Sequence, residues 1–393
     1  MRGTRADQPK LIVMRMPTPS RNLPTVWLDV FKLLAAQLIV CHHLALYGPM
    51  SEVAHPLATD LLDWLADPAR LAVQAFFVIG GFLAAETLWR SPSAPTPSAW
   101  RALPAVAWRR YVRLASPFAV ALLAAVAAAW VARTLIDHPT IPAEPAWGQL
   151  LAHGLLLQDI LGIDALSAGI WYVAIDFQLY LLVACLAALV GRVAVAPVDR
   201  GRAGAVLLGA AMLMSLLVWN LQPAFDAFAP YFLGSYGLGV LARWARHGER
   251  ERRWALAAMV TLTGLALAVE WRTRIALAGV LAGLLAVLPA NAAAAAAGAA
   301  RGRATLAGAA RMSYALLLIH YPVLLLVGAI VGSLWPESAP AHAVGLVAAW
   351  GLSVAAGFAL HHTVEKRGLF ARRQSALMYR TPDQRFGWSQ RGT

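Results

Sequence analysis

Apolar runs recur along the chain at about 30–47, 70–88, 112–135, 170–191, 203–220, 230–242, 254–270, 275–290, 312–333 and 342–362. Most are long enough to cross a hydrocarbon core of roughly 30 Å at about 1.5 Å per residue. The pattern predicts an all-α, polytopic membrane bundle of about ten transmembrane helices. One membrane-embedded domain, 29–364, is expected between two basic tails, 1–28 and 365–393. The stretch 147–169 is apolar enough for an eleventh span, but His153, Gln158, Asp159 and Asp164 interrupt it. It reads as an interfacial or re-entrant segment on the outer side, either an amphipathic surface helix or a substrate-facing element. The low-complexity stretch 291–304 reads as a cytoplasmic connector.

Composition agrees with this pattern: 60% of the 393 residues are hydrophobic and 13% charged, proportions few soluble domains reach. A net charge of +13 raises the question of nucleic acid. The basic residues come in short clusters between apolar runs and form no continuous face, so they act as topology signals and no nucleic-acid partner is expected. With the N-terminus placed in the cytoplasm, 28 of the 33 Lys and Arg fall in segments predicted cytoplasmic, and two, Arg272 and Arg274, fall on the opposite side. One missed helix would invert every later loop, so the split supports ten spans with both termini cytoplasmic. The basic N-terminal stretch before the first run is not a signal peptide, because Lys32, Gln37 and a histidine pair interrupt that run and no small-residue cleavage pattern follows. Cys41 and Cys185 lie inside apolar runs and imply neither a disulfide framework nor a metal site. There is no phosphate-cradling glycine loop.

The chemistry must then lie in polar residues inside spans, since an ionisable group in hydrocarbon costs from about 2.5 kcal/mol upward unless it faces partners or water. On the first helix Lys32 and His43 are offset by about 20° and Asp29 lies about 40° from His43, so the three share a stripe. His42 is rotated about 100° away, and the two histidines are not expected to face one cavity wall. In "WYVAIDFQLYLL", 171–182, Asp176 and Tyr180 are spaced i, i+4, with Gln178 off that line. Entering from the outer face, Asp176 would sit about 10 Å deep, and His43 about 21 Å from the inner side. The two residues would lie at similar depth in the outer half. A carboxylate that orients an imidazole suits a general base acting on a hydroxyl.

Several stretches, taken in order, carry a resemblance that covers nearly the whole chain. "LDVFKLLAAQLIVCHHL" resembles the opening helix of the integral-membrane acyltransferase 3 family, with Asp29 and His43 in register and Lys32 where Arg is usual. "AFFVIGGFLAAETLWR" resembles its Phe-Phe-Val-x-Ser-Gly-Phe-Leu signature, with Gly80 in place of Ser. "WRRYVRLASPF" resembles its paired-Arg motif. "WYVAIDFQLYLL" resembles a stretch that usually carries two adjacent acids, of which only Asp176 is present. "RMSYALLLIHYPVLLL" resembles its Ser-Tyr-x-Leu-x-Leu-x-His-x-Pro helix, and "HHTVEKR" its terminal segment.

The resemblance implies transfer of an acyl group, acetyl as the expected one, from cytosolic acyl-CoA to a hydroxyl of a carbohydrate acceptor across a bilayer, here a bacterial inner membrane. It places His43 as general base with Asp176 as its partner, and Arg109, Arg110, Arg113 and Lys32 on the CoA phosphates, where Arg forks suit phosphate oxygens. Asp29, Gln178, Tyr180 and His320 are expected along the substrate cavity, with helix packing the other reading of His320. No permanently bound cofactor is expected, only acyl-CoA as substrate. Direct transfer and a covalent intermediate both remain open. The acceptor could be a surface polysaccharide, lipopolysaccharide, periplasmic glucan, peptidoglycan or a small glycoside. The competing class is a transporter or glycan exporter, in which the same polar stripe lines a path and no bond is made.

Overall fold

The computed structural model describes residues 25–91, 93, 99–193, 196–289 and 300–366. The outer parts of both basic tails and most of the 291–304 connector lie outside the described residues. Each of the ten apolar runs forms a helix. These are α1 (Thr25–Leu46), α4 (Val73–Leu88), α5 (Ala99–Leu135), α7 (Trp171–Val193), α8 (Pro197–Leu217), α9 (Ala229–Trp244), α10 (Glu249–Val269), α11 (Thr273–Val287), α13 (Ser313–Leu334) and α14 (Ala339–Leu360). Short helices α2 (Pro49–Ala54), α3 (Thr59–Ala66), α6 (Trp147–Gly154) and α12 (Ala300–Arg311) fill connections, and the described residues contain no strand. Among the described residues, eight helices are long and apolar enough to cross a membrane. Many large apolar side chains on them face outward, among them Leu123, Trp130, Val260 and Val347. Apolar exposure on this scale is what a lipid-facing surface requires, and the chain is an integral membrane helix bundle.

The two remaining runs make the short helices α9, of 16 residues, and α11, of 15. α9 sits at the centre of the bundle, buried from Tyr231 through Trp244 and enclosed by α4, α7, α8, α10 and α11. A helix surrounded by protein has no need to match the lipid thickness. It packs on α4 backbone to backbone: a Cβ at Gly81 would fall on the Tyr236 carbonyl, and one at Gly239 on the Val78 carbonyl. Small residues at a helix crossing permit this approach, as the sequence "VIGGFL" predicts. A buried ion pair, Arg243 with Glu86, and a hydrogen bond of 2.7 Å from Trp244 Nε1 to the Trp89 carbonyl lock the far ends of the two helices together.

Electrostatic neighbours collect several helix ends at one side of the molecule. Asp29 near the start of α1 interacts with Arg311 at the end of α12, Lys32 with Arg113, and Tyr314 at the start of α13 with Glu365 just beyond α14. These are ends the charge distribution assigns to the cytoplasmic side.

The segment 136–169 re-enters the bundle. From Leu135 the chain turns back, and the Thr140 carbonyl accepts a 2.8 Å hydrogen bond from Tyr321 Oη. The carbonyl of Gly154, at the end of α6, accepts one of 2.6 Å from Tyr111 Oη. Tyr111 lies about 36 Å back along α5 from Leu135 at the helical rise, so the segment descends beside that helix. The polar residues that interrupt its apolar pattern fold it on itself. His153 Nδ1 donates to the Gln149 carbonyl, its Nε2 accepts from the Leu166 N–H, and Gln149 Nε2 donates to the Asp164 carbonyl. Left-handed turns at Leu156 and Gly162 reverse the chain, which returns to the start of α7 through Gly169, also left-handed at φ 75°.

Gly81→Ala forces a methyl group onto a backbone carbonyl and is expected to cost about 1–3 kcal/mol or more. Gly264→Ala, where an added methyl meets open space, is neutral or stabilising by up to about 1 kcal/mol. Thermal unfolding of the detergent-solubilised variants checks this, and equal midpoints for the two would contradict the close α4–α9 crossing.

Candidate active site

Two polar centres occupy the interior. The first joins α1 to α13: His43 Nδ1 lies 2.7 Å from His320 Nε2, with the rings nearly parallel at 11° and their centroids 4.9 Å apart. Both side chains are buried. Gly169 completes the enclosure, since a Cβ there would stand 3.0 Å from His43 Cε1. A side chain at this left-handed position would be strained and would also press on the ring.

His320 Nδ1 has no hydrogen-bond partner among the described residues, and one of the two rings donates in the His43–His320 contact. With His43 Nδ1 as the donor, His320 Nε2 accepts and His43 Nε2 is left with a bare lone pair.

A cavity of about 570 Å³ reaches this pair. His43, His320, Gln74, Tyr172 and Tyr314 line its deeper part, while Asp67, Arg70, Asp226, Arg272 and Arg274 line its mouth in connections predicted to be extracytoplasmic. His42, expected on a different wall, also lines it. Both rings fit because His42 lies against the mouth: its Nδ1 donates to the Leu65 carbonyl of α3 at 3.0 Å, beside the Asp67 and Arg70 turn.

The second centre lies deeper. Asp176 of α7, 4% exposed, is ion-paired with Arg110 of α5. The Arg110 guanidinium covers the Tyr180 ring at 4.7 Å, and Tyr172, Tyr236 and Tyr314 interact electrostatically with the pair. Gly80 makes room for it, because a Cβ at that position would come within 3.2 Å of Asp176 Oδ1 and 2.9 Å of the Tyr236 ring. Tyr172 and Tyr314 belong to both centres and link the ion pair to the cavity wall.

This arrangement corrects two expectations. Asp176 does not hold the His43 imidazole. The level of His43 along α7 is that of Gly169, and Asp176 lies about 10 Å further down at the helical rise. A buried carboxylate takes the nearest cation, which is Arg110. For the same reason the Arg110 guanidinium is engaged by Asp176 and Tyr180, whereas Arg109 and Arg113 keep exposed side chains. Lys32 is half-buried between Asp29 and Arg113.

Of the four residues expected along the cavity, His320 lines it and also packs two helices together. Asp29, Gln178 and Tyr180 are not in its wall: Gln178 Oε1 accepts the Ala229 N–H at the start of α9, and Tyr180 underlies Arg110. Sequence reasoning passed over Tyr172, Gln74 and the mouth arginines. The available signal was the pair Arg272 and Arg274, the exceptions to the charge rule.

The family model described as an acyltransferase domain, acyltransferase 3, matches residues 25–360, nearly every residue that builds the bundle and both polar centres. The chain belongs to this acyltransferase family. No curated protein and no solved structure matches it. In this acyltransferase, Asp29, Lys32, His43, Gly80, Arg110, Asp176 and His320 all fall within the matched residues.

Asp176→Asn leaves the Arg110 charge buried without its partner and is expected to destabilise the acyltransferase by about 3–5 kcal/mol. The double variant Arg110→Gln, Asp176→Asn should recover part of that loss in a thermal-unfolding cycle. A double variant no more stable than Asp176→Asn alone would show that something other than Arg110 holds the carboxylate.

Proposed function

We propose that this membrane acyltransferase transfers an acyl group, acetyl in the simplest case, from acyl-CoA to a hydroxyl of a carbohydrate acceptor in a bacterial inner membrane. The observation that carries the reading is the His43–His320 pair in the inner part of a cavity whose mouth lies on the predicted extracytoplasmic side.

The acceptor enters through the mouth and presents a hydroxyl to His43 Nε2. As the oxygen attacks the thioester carbonyl, its proton passes to Nε2. The imidazolium positive charge spreads over a ring whose Nδ1–H is held by His320 Nε2. The tetrahedral intermediate collapses, the carbon–sulfur bond breaks, and Nε2 returns the proton to the departing thiolate. The products are an O-acyl ester and free CoA. A positioned base of this kind typically contributes 10² to 10⁴-fold, and neither imidazole is the nucleophile in this scheme. His320 acts through His43 and is a positioning residue: it fixes the tautomer whose free nitrogen meets the substrate.

The donor approaches from the cytoplasmic side. Arg109 and Arg113, on the cytoplasmic part of α5, together with Lys32, offer its phosphates charge-assisted hydrogen bonds. Arg110 takes no phosphate in this scheme; with Asp176 it holds α5 against α7 and sets the tyrosine-lined wall along which the thioester is placed.

His43→Ala is expected to lower transfer of labelled acetyl from acetyl-CoA by about 10² to 10⁴-fold with folding intact. His42→Ala, which removes only a bond to the Leu65 carbonyl, should cost less than about tenfold. His320→Ala should fall between them, and His320→Gln, whose amide oxygen still accepts from Nδ1–H, should restore part of the rate. Equal activity for the His42 and His43 variants would remove His43 from the mechanism. Movement of an acceptor across the membrane with no ester formed on it would make the protein a transporter.

A further inference from the structure

Arg272 and Arg274 stand, with Arg70, on the side of the bundle where the chain otherwise holds few cations. Part of the reason is structural. Arg272 is 6% exposed and ties two helix ends together, donating to the carbonyls of Leu216 at 2.9 Å and Ala266 at 3.0 Å, and to Asn220 Oδ1 at 2.7 Å. Arg274 donates to the Asn220 carbonyl at 2.9 Å, and its guanidinium lies 5.0 Å from the centre of the Tyr231 ring. These partners carry no formal charge. Two guanidiniums are thus held side by side in the cavity wall, hydrogen-bonded to neutral oxygens, with Glu270 the carboxylate that acts on Arg272.

Three further features concentrate positive potential there. Arg274 Nε is buried and has no hydrogen-bond partner. Arg272, Thr273 and Arg274 are consecutive lining residues at the start of α11, where the Arg272 carbonyl takes the N–H groups of Ile275 and Ala276 and those of Thr273 and Arg274 have no carbonyl one turn back. Burial and the adjacent Arg274 charge both push Arg272 down from the ordinary arginine value, and Glu270 offsets this in part. Like charges placed together in a desolvated wall raise each other's energy, and a bound anion relieves both. The mouth's other charges do not supply one: Asp67 is ion-paired with Arg70 at 3.0 Å, and Asp226 ion-pairs with none of the described residues.

We propose that Arg272 and Arg274 bind an anionic substituent of the acceptor, a carboxylate or a phosphate, so that the preferred acceptor is an acidic sugar. This rests on the acyl-transfer reading for the word acceptor, but the anion site itself needs only the cavity. The same cavity runs from the arginine pair to His43 and His320, and a sugar held at the mouth by its acid group turns a hydroxyl inward toward His43 Nε2. The substituent is recognised by charge-assisted hydrogen bonds from the Arg274 guanidinium and by the N–H groups of Thr273 and Arg274 at the start of α11.

The test is equilibrium binding to the full-length protein in detergent, without acyl-CoA, with methyl glucuronoside, methyl glucoside and inorganic phosphate as probes. The glucuronoside should bind about 10-fold or more tighter than the glucoside, with an advantage that shrinks as salt is raised. Phosphate should compete with it; a glucuronoside preference without phosphate competition assigns the site to carboxylates. Arg274→Gln should erase the preference and Arg274→Lys should keep part of it; Arg274 is the position to change because Arg272 also holds helix ends. Equal binding of the two sugars, no detectable binding of either, or a preference unchanged in Arg274→Gln would overturn the proposal. The outcomes separate the two readings. Acid-selective binding without acyl transfer would leave the site standing and remove the enzyme reading, and acyl transfer onto neutral sugars with no acid preference would do the reverse.

Discussion

In the core of a bilayer no water is available to satisfy a polar group, so every such group must find its partner inside the protein. This constraint organises the interior of the acyltransferase. Asp176 is matched by Arg110, Glu86 by Arg243, and Gln74 by Ser235 through a 2.8 Å hydrogen bond. The carbonyls of Leu216 and Ala266, near the ends of α8 and α10, accept from the Arg272 guanidinium. Each pairing crosses between helices, so the polar groups that cost most in hydrocarbon also set which helices are neighbours and in what register.

Where polar pairing ends, close packing begins. Lipid offers no hydrophobic gain for bringing two helices together, so association depends on contact area, and Gly81 and Gly239 supply it by letting the α4 and α9 backbones touch. The crossing fixes Gly80 and Tyr236 over Asp176. A short central helix is tolerable because it is enclosed by its neighbours. The buried ion pair and the tight crossing form one rigid block, and the cavity lies between that block and the α1–α13 pair that carries the two histidines.

The division of labour follows from these positions. The ion pair is stabilised by charges already present, which suits a scaffold. The histidine pair combines one satisfied nitrogen contact with one free lone pair in the inner part of a space large enough for a sugar, which suits proton transfer. The arginines at the mouth combine unneutralised charge with access from the predicted extracytoplasmic side, which suits recognition. Catalysis in the inner part and selection at the mouth would let one cavity serve both, with the donor arriving from the opposite side.

Much of this was legible in the sequence because the signals are local. Helix positions follow from runs of apolar residues, and sidedness follows from where Lys and Arg accumulate. Two adjacent glycines in an apolar run mark α4 for close helix packing, and the cost of placing ionisable groups in hydrocarbon singles out His43 and Asp176 as candidates. Which partner each of these groups takes is a matter of relative helix depth and rotation, and no spacing along one chain encodes that. Depth arithmetic from the predicted boundaries set Asp176 level with His43. In the structure α7 begins beside His43, so Asp176 lies about 10 Å further down and meets Arg110. His320 was visible as a histidine in a helix, but its bond to His43 exists only once α1 and α13 are packed. Arg272 and Arg274 were visible as exceptions to the charge rule. Their task as helix caps, and the uncompensated charge they leave at the cavity mouth, depend on Asn220, Leu216 and Ala266 brought to them by tertiary folding. Local composition decides what enters the membrane and which way round; contacts between residues far apart in the chain decide which buried charge is neutralised and which is left free to act.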